Sequence, residues 1–197
     1  MRTRPHSLGL PAGLLALALA AALPAASPSA DAATLAGVTM PDRESAGDQE
    51  LVLNGMGLRS KLFIKVYVGG LYLAERQASA DRVLAADAPR VMVMHYLYGV
   101  SKDQLCEGWD EGLEDNTPNA SAEVKRGFTT LCDWMTPIAK GEELRLTYVP
   151  GTGTTVTAVG QDKGTIPGKD FADALLRCWI GPDPGPGEGF KKAVLGG

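Results

Sequence analysis

Hydrophobic and polar positions alternate most clearly between Lys61 and Val68. Leu62, Ile64, Val66 and Val68 fall on one side of an extended chain; Lys61, Phe63, Lys65 and Tyr67 fall on the other. This period of two predicts a strand over Leu62–Val68 with a core face and a mixed face. Continued without a bulge, it also puts Arg59 on the mixed face. Upstream, the apolar run Leu51–Leu53 meets Asn54-Gly55. That dipeptide favours a two-residue hairpin turn, because both central residues take positive φ. A further strand is expected over Arg90–Tyr98. Val91, Val93, His95 and Leu97 share one side, and Met92, Met94, Tyr96 and Tyr98 the other. Both sides are largely apolar, so the strand reads as central and covered twice. Glu142–Val149 and Thr154–Val159 read as a hairpin closed by Pro150-Gly151-Thr152-Gly153, with Lys163–Ile166 a short addition. Thr34–Thr39 reads as an edge strand feeding the first hairpin.

Between the strands the period lengthens to that of a helix. Ser79–Ala88 carries a cap and a small apolar face in Val83 and Leu84. Ser101-x-x-Gln104 is a capping box that opens a helix to about Asp115, with Leu105, Trp109 and Leu113 in one stripe. Thr117-Pro118 suggests a helix with proline in its first turn, and Val124, Phe128, Leu131 and Met135 form its stripe. The short connection predicts an antiparallel helix pair. Gly168–Ile180 is a third amphipathic helix, aligned on Phe171, Leu175 and Trp179, and Phe190–Leu195 a short last one. The helical stripes need an apolar partner, and the strands supply the only large one.

The chain has 197 residues and a net charge of −4, enough for one domain, assigned to residues 33–197. Residues 1–32 read as a signal peptide. Arg2 and Arg4 precede the apolar run Leu14–Leu23, and Ala30-Asp31-Ala32 supplies a small-x-small cleavage pattern. The run is too short to span a bilayer, so the expectation is a periplasmic or secreted protein with no stable membrane insertion after cleavage. Cleavage removes two positive charges and one negative. The remaining acidic chain has no basic stripe and is not expected to bind nucleic acid. An oxidising compartment permits a disulfide. Cys106 and Cys132, on neighbouring predicted helices, are the pair to test, against the reading that Cys106, Cys132 and Cys178 are all small buried hydrophobes.

Candidate chemistry is sparse. His6 lies in the leader, so His95 is the one histidine left for catalysis, and its apolar strand favours a satisfied core role. The cysteine spacing is not that of a zinc site, and no metal or cofactor is expected. Asp110, Glu111, Glu114 and Asp115 cluster on one helix and read as a solvated face. Gly151-Thr152-Gly153 lacks the lysine and following helix of a phosphate loop. Arg59 reads either as a surface or structural arginine or as an anion contact. Lys65, Tyr67, Tyr96 and Tyr98 are candidates to line a cleft with it, and which face of the strand lines that cleft stays open.

Asn54-Gly55-Met56-Gly57-Leu58-Arg59, Phe63-Ile64-Lys65-Val66-Tyr67, Gly70-Leu71-Tyr72-Leu73, Phe171–Leu176 and Trp179-Ile180-Gly181 occur in an order that resembles the chalcone isomerase family, in its secreted bacterial chalcone-isomerase-like branch. The resemblance implies an α+β fold, a curved antiparallel sheet covered on one face by a layer of helices. In that family an arginine after the glycine-rich turn holds the phenolate in the plant enzymes and a carboxylate in plastid fatty-acid-binding members; Arg59 matches it. The enzymes place a threonine in the next strand where Tyr67 stands here. The first expectation is therefore a non-catalytic periplasmic protein that holds an amphipathic carboxylate such as a fatty acid between sheet and helices. The alternatives are an intramolecular lyase of the chalcone isomerase type, with Arg59 stabilising the oxyanion, and a structural or partner-binding envelope protein.

Overall fold

A computed structural model describes Met1 and residues 32–197; the leader expected from Leu14–Leu23 lies outside the described residues. Strands β1 (Ala32–Leu35) and β2 (Val38–Pro41) pair as a separate hairpin. Its turn is Ala36-Gly37, with φ of 49° and 85°. Thr34–Thr39 is thus the middle of a two-stranded hairpin, not an edge strand of the main sheet.

The main sheet takes β3 (Arg43–Ala46), β4 (Gln49–Lys61), β5 (Ile64–Leu73), β6 (Arg90–Tyr96), β7 (Glu143–Val149), β8 (Gly153–Ala158) and β9 (Gln161–Ile166) in chain order. Every neighbouring pair is antiparallel. This is the expected α+β architecture. Helices α1 (Ala80–Ala85), α2 (Lys102–Asn116), α3 (Ala122–Trp134), α4 (Lys169–Ile180) and α5 (Glu188–Val194) supply the second layer. Alternation along β6 divides the core in two. Met92, Met94 and Tyr96 join the helix-side cluster, whereas Val91 and Val93 join Val38, Met40 and Leu51 on the side covered by the β1–β2 hairpin. The strand is buried from both sides, as its sequence suggested.

Serine side chains cap the starts of α1, α2 and α3. Ser101 and Gln104 form the reciprocal capping box, with the Gln104 N–H donating to Ser101 Oγ at 3.2 Å and the Ser101 N–H donating to Gln104 Oε1 at 2.9 Å. One helix starts later than proline chemistry suggested. Ser121, not Thr117-Pro118, caps α3, its Oγ accepting from the Val124 N–H at 3.2 Å. Cys106 of α2 and Cys132 of α3 form a disulfide across a Cα separation of 5.5 Å, which corrects the reading of three buried thiols. Cys178 alone is free and buried, and burial pushes its pKa up to about 12. His95 is half-buried, not enclosed, and its Nδ1 lies 3.1 Å from Glu143 Oε1.

The largest correction concerns the first hairpin. Asn54-Gly55 is not its turn. The chain runs on to Lys61, and the turn is Leu62-Phe63, with Leu62 at φ 56°. Asn54 is instead an extra residue within β4: Leu53 pairs with Tyr72 and Gly55 with Leu71, leaving Asn54 unpaired between them. Its side chain is buried and fully used. Nδ2 donates to the carbonyls of Gln77 at 3.0 Å and Val194 at 2.8 Å, and Oδ1 accepts from the Gln77 N–H at 2.7 Å. Polar satisfaction within the core outweighs the turn preference of the dipeptide. Glycine is needed nearby for a different reason. A Cβ at Gly57 or Gly69 would meet the Phe190 ring at 2.7 and 2.6 Å, so these glycines let α5 lie flat on the sheet.

Candidate ligand-binding cavity

Two bulges aim the side chains at the end of the sheet near the β4–β5 turn. Before Asn54, Leu51 and Leu53 face the β1–β2 hairpin; after it, Met56 and Leu58 do. One inserted residue has changed the parity of the strand, so Arg59 points to the helix side. The second irregularity lies opposite. Arg59 pairs with Tyr67 and Ser60 with Lys65, which leaves Val66 as the bulged residue. The Val66 carbonyl accepts from the N–H groups of Leu97 and Tyr98 at 2.8 and 3.2 Å. Val66 and Tyr67, though consecutive, both line the same cavity. The alternation read over Leu62–Val68 therefore breaks at Val66: Val68 packs on the hairpin side, and Leu62 and Ile64 are exposed.

The cavity measures about 300 Å³, the lower end of the range for small-molecule sites. Sheet residues Arg59, Val66, Tyr67, Met94 and Tyr96 form its floor, and Leu105, Trp109 and Trp179 come from the helices. Tyr98 stands at the rim, with Lys61 and Glu111. Among the expected site residues, Arg59, Tyr67, Tyr96 and Tyr98 come together here. Lys65 does not; it is exposed and lies outside the lining, because the Val66 bulge takes it out of phase with Tyr67. Val66, Trp109 and Trp179 were not among the expected site residues. The helical stripes identified Trp109 and Trp179 as buried, but not the part of the sheet they cover.

Tyr67 is the centre of the arrangement. Its ring lies 5.5 Å from that of Tyr96 and 5.8 Å edge-on from Phe190. Its hydroxyl accepts from Trp179 Nε1 at 2.8 Å, leaving its own proton to donate. Burial pushes the Tyr67 pKa up to about 12, against the opposing pull of the Arg59 guanidinium and the Trp179 N–H. Burial also raises Tyr96, helped by neighbouring Tyr67 and opposed by Arg59. Both phenols stay protonated at neutral pH and are available as hydrogen-bond donors, not bases. Arg59 is half-buried and forms no ion pair among the described residues. A guanidinium beside two neutral phenols, against apolar walls, suits an anion with an apolar tail.

A seven-stranded antiparallel sheet with its helical layer and a cavity at one end define a chalcone isomerase-type fold. The chain belongs to the chalcone isomerase-like family, whose model matches residues 32–196. It is similar to a solved structure of a fatty-acid binding protein from Arabidopsis thaliana, with a TM-score of 0.66 and 22% identity over 84% of this chain and 96% of that one. No curated protein matches the sequence. Among the described residues no helix is long and apolar enough to cross a membrane.

Proposed function

We propose that this protein binds an amphipathic carboxylate, such as a fatty acid, without catalysing a reaction on it. One observation carries the reading: Arg59, with no carboxylate paired to it among the described residues, lies beside the Tyr67 hydroxyl in an apolar cavity of about 300 Å³. The guanidinium and the phenol proton hold the carboxylate; Val66, Met94, Leu105 and Trp109 take the tail. The fatty-acid binding neighbour supports this choice of ligand class. The resemblance sets Tyr67 where the ring-closing enzymes place a threonine, which favours binding over ring-closing chemistry.

Export to the periplasm belongs to the same proposal, supported by Arg2, Arg4, the Leu14–Leu23 run and Ala30-Asp31-Ala32; the intact mass of the exported protein checks it. Native mass spectrometry of freshly purified protein is expected to show the added mass of an acid. In fatty-acid titrations, Arg59→Ala is expected to weaken binding about 10- to 100-fold, the worth of charge-assisted hydrogen bonds. No retained acid, together with equal affinities for Arg59→Ala and wild type, sinks the proposal.

A further inference from the structure

The β4–β5 turn is built against ordinary turn chemistry. The loop has two residues between the paired Lys61 and Ile64. Its first central position takes φ 56°, a region hairpins fill with glycine or asparagine. Here it is leucine, a strained choice for a bulky side chain. Packing does not repay that strain, because Leu62 is 89% and Phe63 101% exposed. Ile64 is 44% and Tyr98 53% exposed beside them. Apart from Met1, these four are the large exposed hydrophobics among the described residues, and they gather at one place. Lys61 and Lys65 flank the apex and are exposed. Leu62, Ile64 and Tyr98 also line the cavity, so the apex and the cavity share one side of the molecule. Glu107 and Glu111 are the acidic groups on the α2 side of that cavity.

We infer that the Leu62-Phe63 apex is a wedge that docks on an anionic phospholipid bilayer, with Lys61 and Lys65 at the headgroups and the cavity turned toward the membrane. Charge and apolarity together select this occupant. Lys61 and Lys65 stand behind the exposed Leu62-Phe63 tip along the hairpin. At a bilayer the same order, cation then apolar tip, follows the change from headgroup to acyl chain. The overall acidity of the chain makes binding depend on insertion of the apex rather than on long-range attraction. Docking in this pose lets an acyl chain pass between bilayer and cavity without crossing water. That transfer role rests on the proposed ligand; the docking does not.

Co-sedimentation with fatty-acid-free vesicles tests it. Wild type is expected to sediment with phosphatidylethanolamine–phosphatidylglycerol vesicles and much less with phosphatidylcholine vesicles. Phe63→Asp, which touches neither core nor cavity lining, is expected to lose about tenfold or more of the partition while keeping fatty-acid affinity in solution. Lys65→Glu lowers binding to the anionic vesicles only. Arg59→Ala leaves docking intact, so a failed ligand and a failed wedge give different results. Wild type left in the supernatant, Phe63→Asp binding like wild type, or sedimentation without vesicles through self-association at the apex would overturn the inference.

Discussion

Arg59 and Arg90 leave the same face of the sheet, toward the same helices, and meet opposite surroundings. Arg90 is enclosed. It donates to Asp173 of α4, lies 4.7 Å over the Tyr148 ring, and shares Asp173 with Lys169, whose Nζ also donates to the Leu84 carbonyl at 2.7 Å. Tyr148 in turn donates to Asp87 Oδ1 at 2.6 Å, and burial, with that bond, pushes its pKa up to about 12. Arg59 sits roughly 20 Å away along the sheet, by strand rise, next to a cavity and with no carboxylate partner among the described residues. One end of the helix–sheet interface is closed by an ion pair. At the other end the cavity wall carrying Leu105 and Trp109 is braced by the Cys106–Cys132 disulfide between α2 and α3. A buried arginine with its acid supplied holds structure; one left without an acid is available to a ligand.

The sharpest test of this contrast is stability. Asp173→Ala strands the Arg90 charge and is expected to cost about 3–5 kcal/mol in urea denaturation. Arg59→Ala, which strands no described carboxylate, should stay within about 1 kcal/mol of wild type. Equal losses for the two would break the comparison. Next comes the covalent brace. Cys106→Ser with Cys132→Ser opens a link spanning 26 residues, expected to cost about 3 kcal/mol. It should weaken fatty-acid binding as well, since α2 forms the cavity wall; binding unchanged at full folding would detach the brace from the site. Third is the proposed ligand anchor. Arg59→Lys keeps the charge but loses the planar fork, and isothermal titration should find a loss of about tenfold.

The smallest effect at neutral pH is that of Tyr67→Phe, about 1 kcal/mol in ligand binding. Its pH signature is more specific. The folded-state pKa lies above the ordinary tyrosine value, chiefly through burial. Folding therefore opposes ionisation, and the Tyr67 contribution is fully present below pH ~10 and is lost as pH rises through about 12. Alkaline denaturation of Tyr67→Phe should be shallower than that of wild type over this window. An identical slope would mean that Tyr67 is not enclosed as described.

Local chemistry made much of the fold legible. The capping box at Ser101, the stripes of α2, α3 and α4, the two-sided strand around Met92 and Met94, and the β7–β8 hairpin all depend on residues within a few positions of one another. The family motifs around Arg59 pointed to the right hairpin but set Arg59 after its turn, whereas it lies on β4, before the turn. The direction of that strand's side chains was not legible. It turns on Asn54 and Val66, two bulged residues whose partners at Gln77, Val194, Leu97 and Tyr98 are remote in sequence.

By itself, then, the sequence determined the element types, the α+β class and the family, because period, caps and motifs are short-range properties. Only the tertiary structure decided where the first hairpin turns, which face Arg59 takes, and that Arg90 is matched by Asp173 83 residues later. Asn54-Gly55 has the local chemistry of a turn, but its buried amide finds more hydrogen bonds as a bulge, and that satisfaction comes from segments the local pattern does not contain.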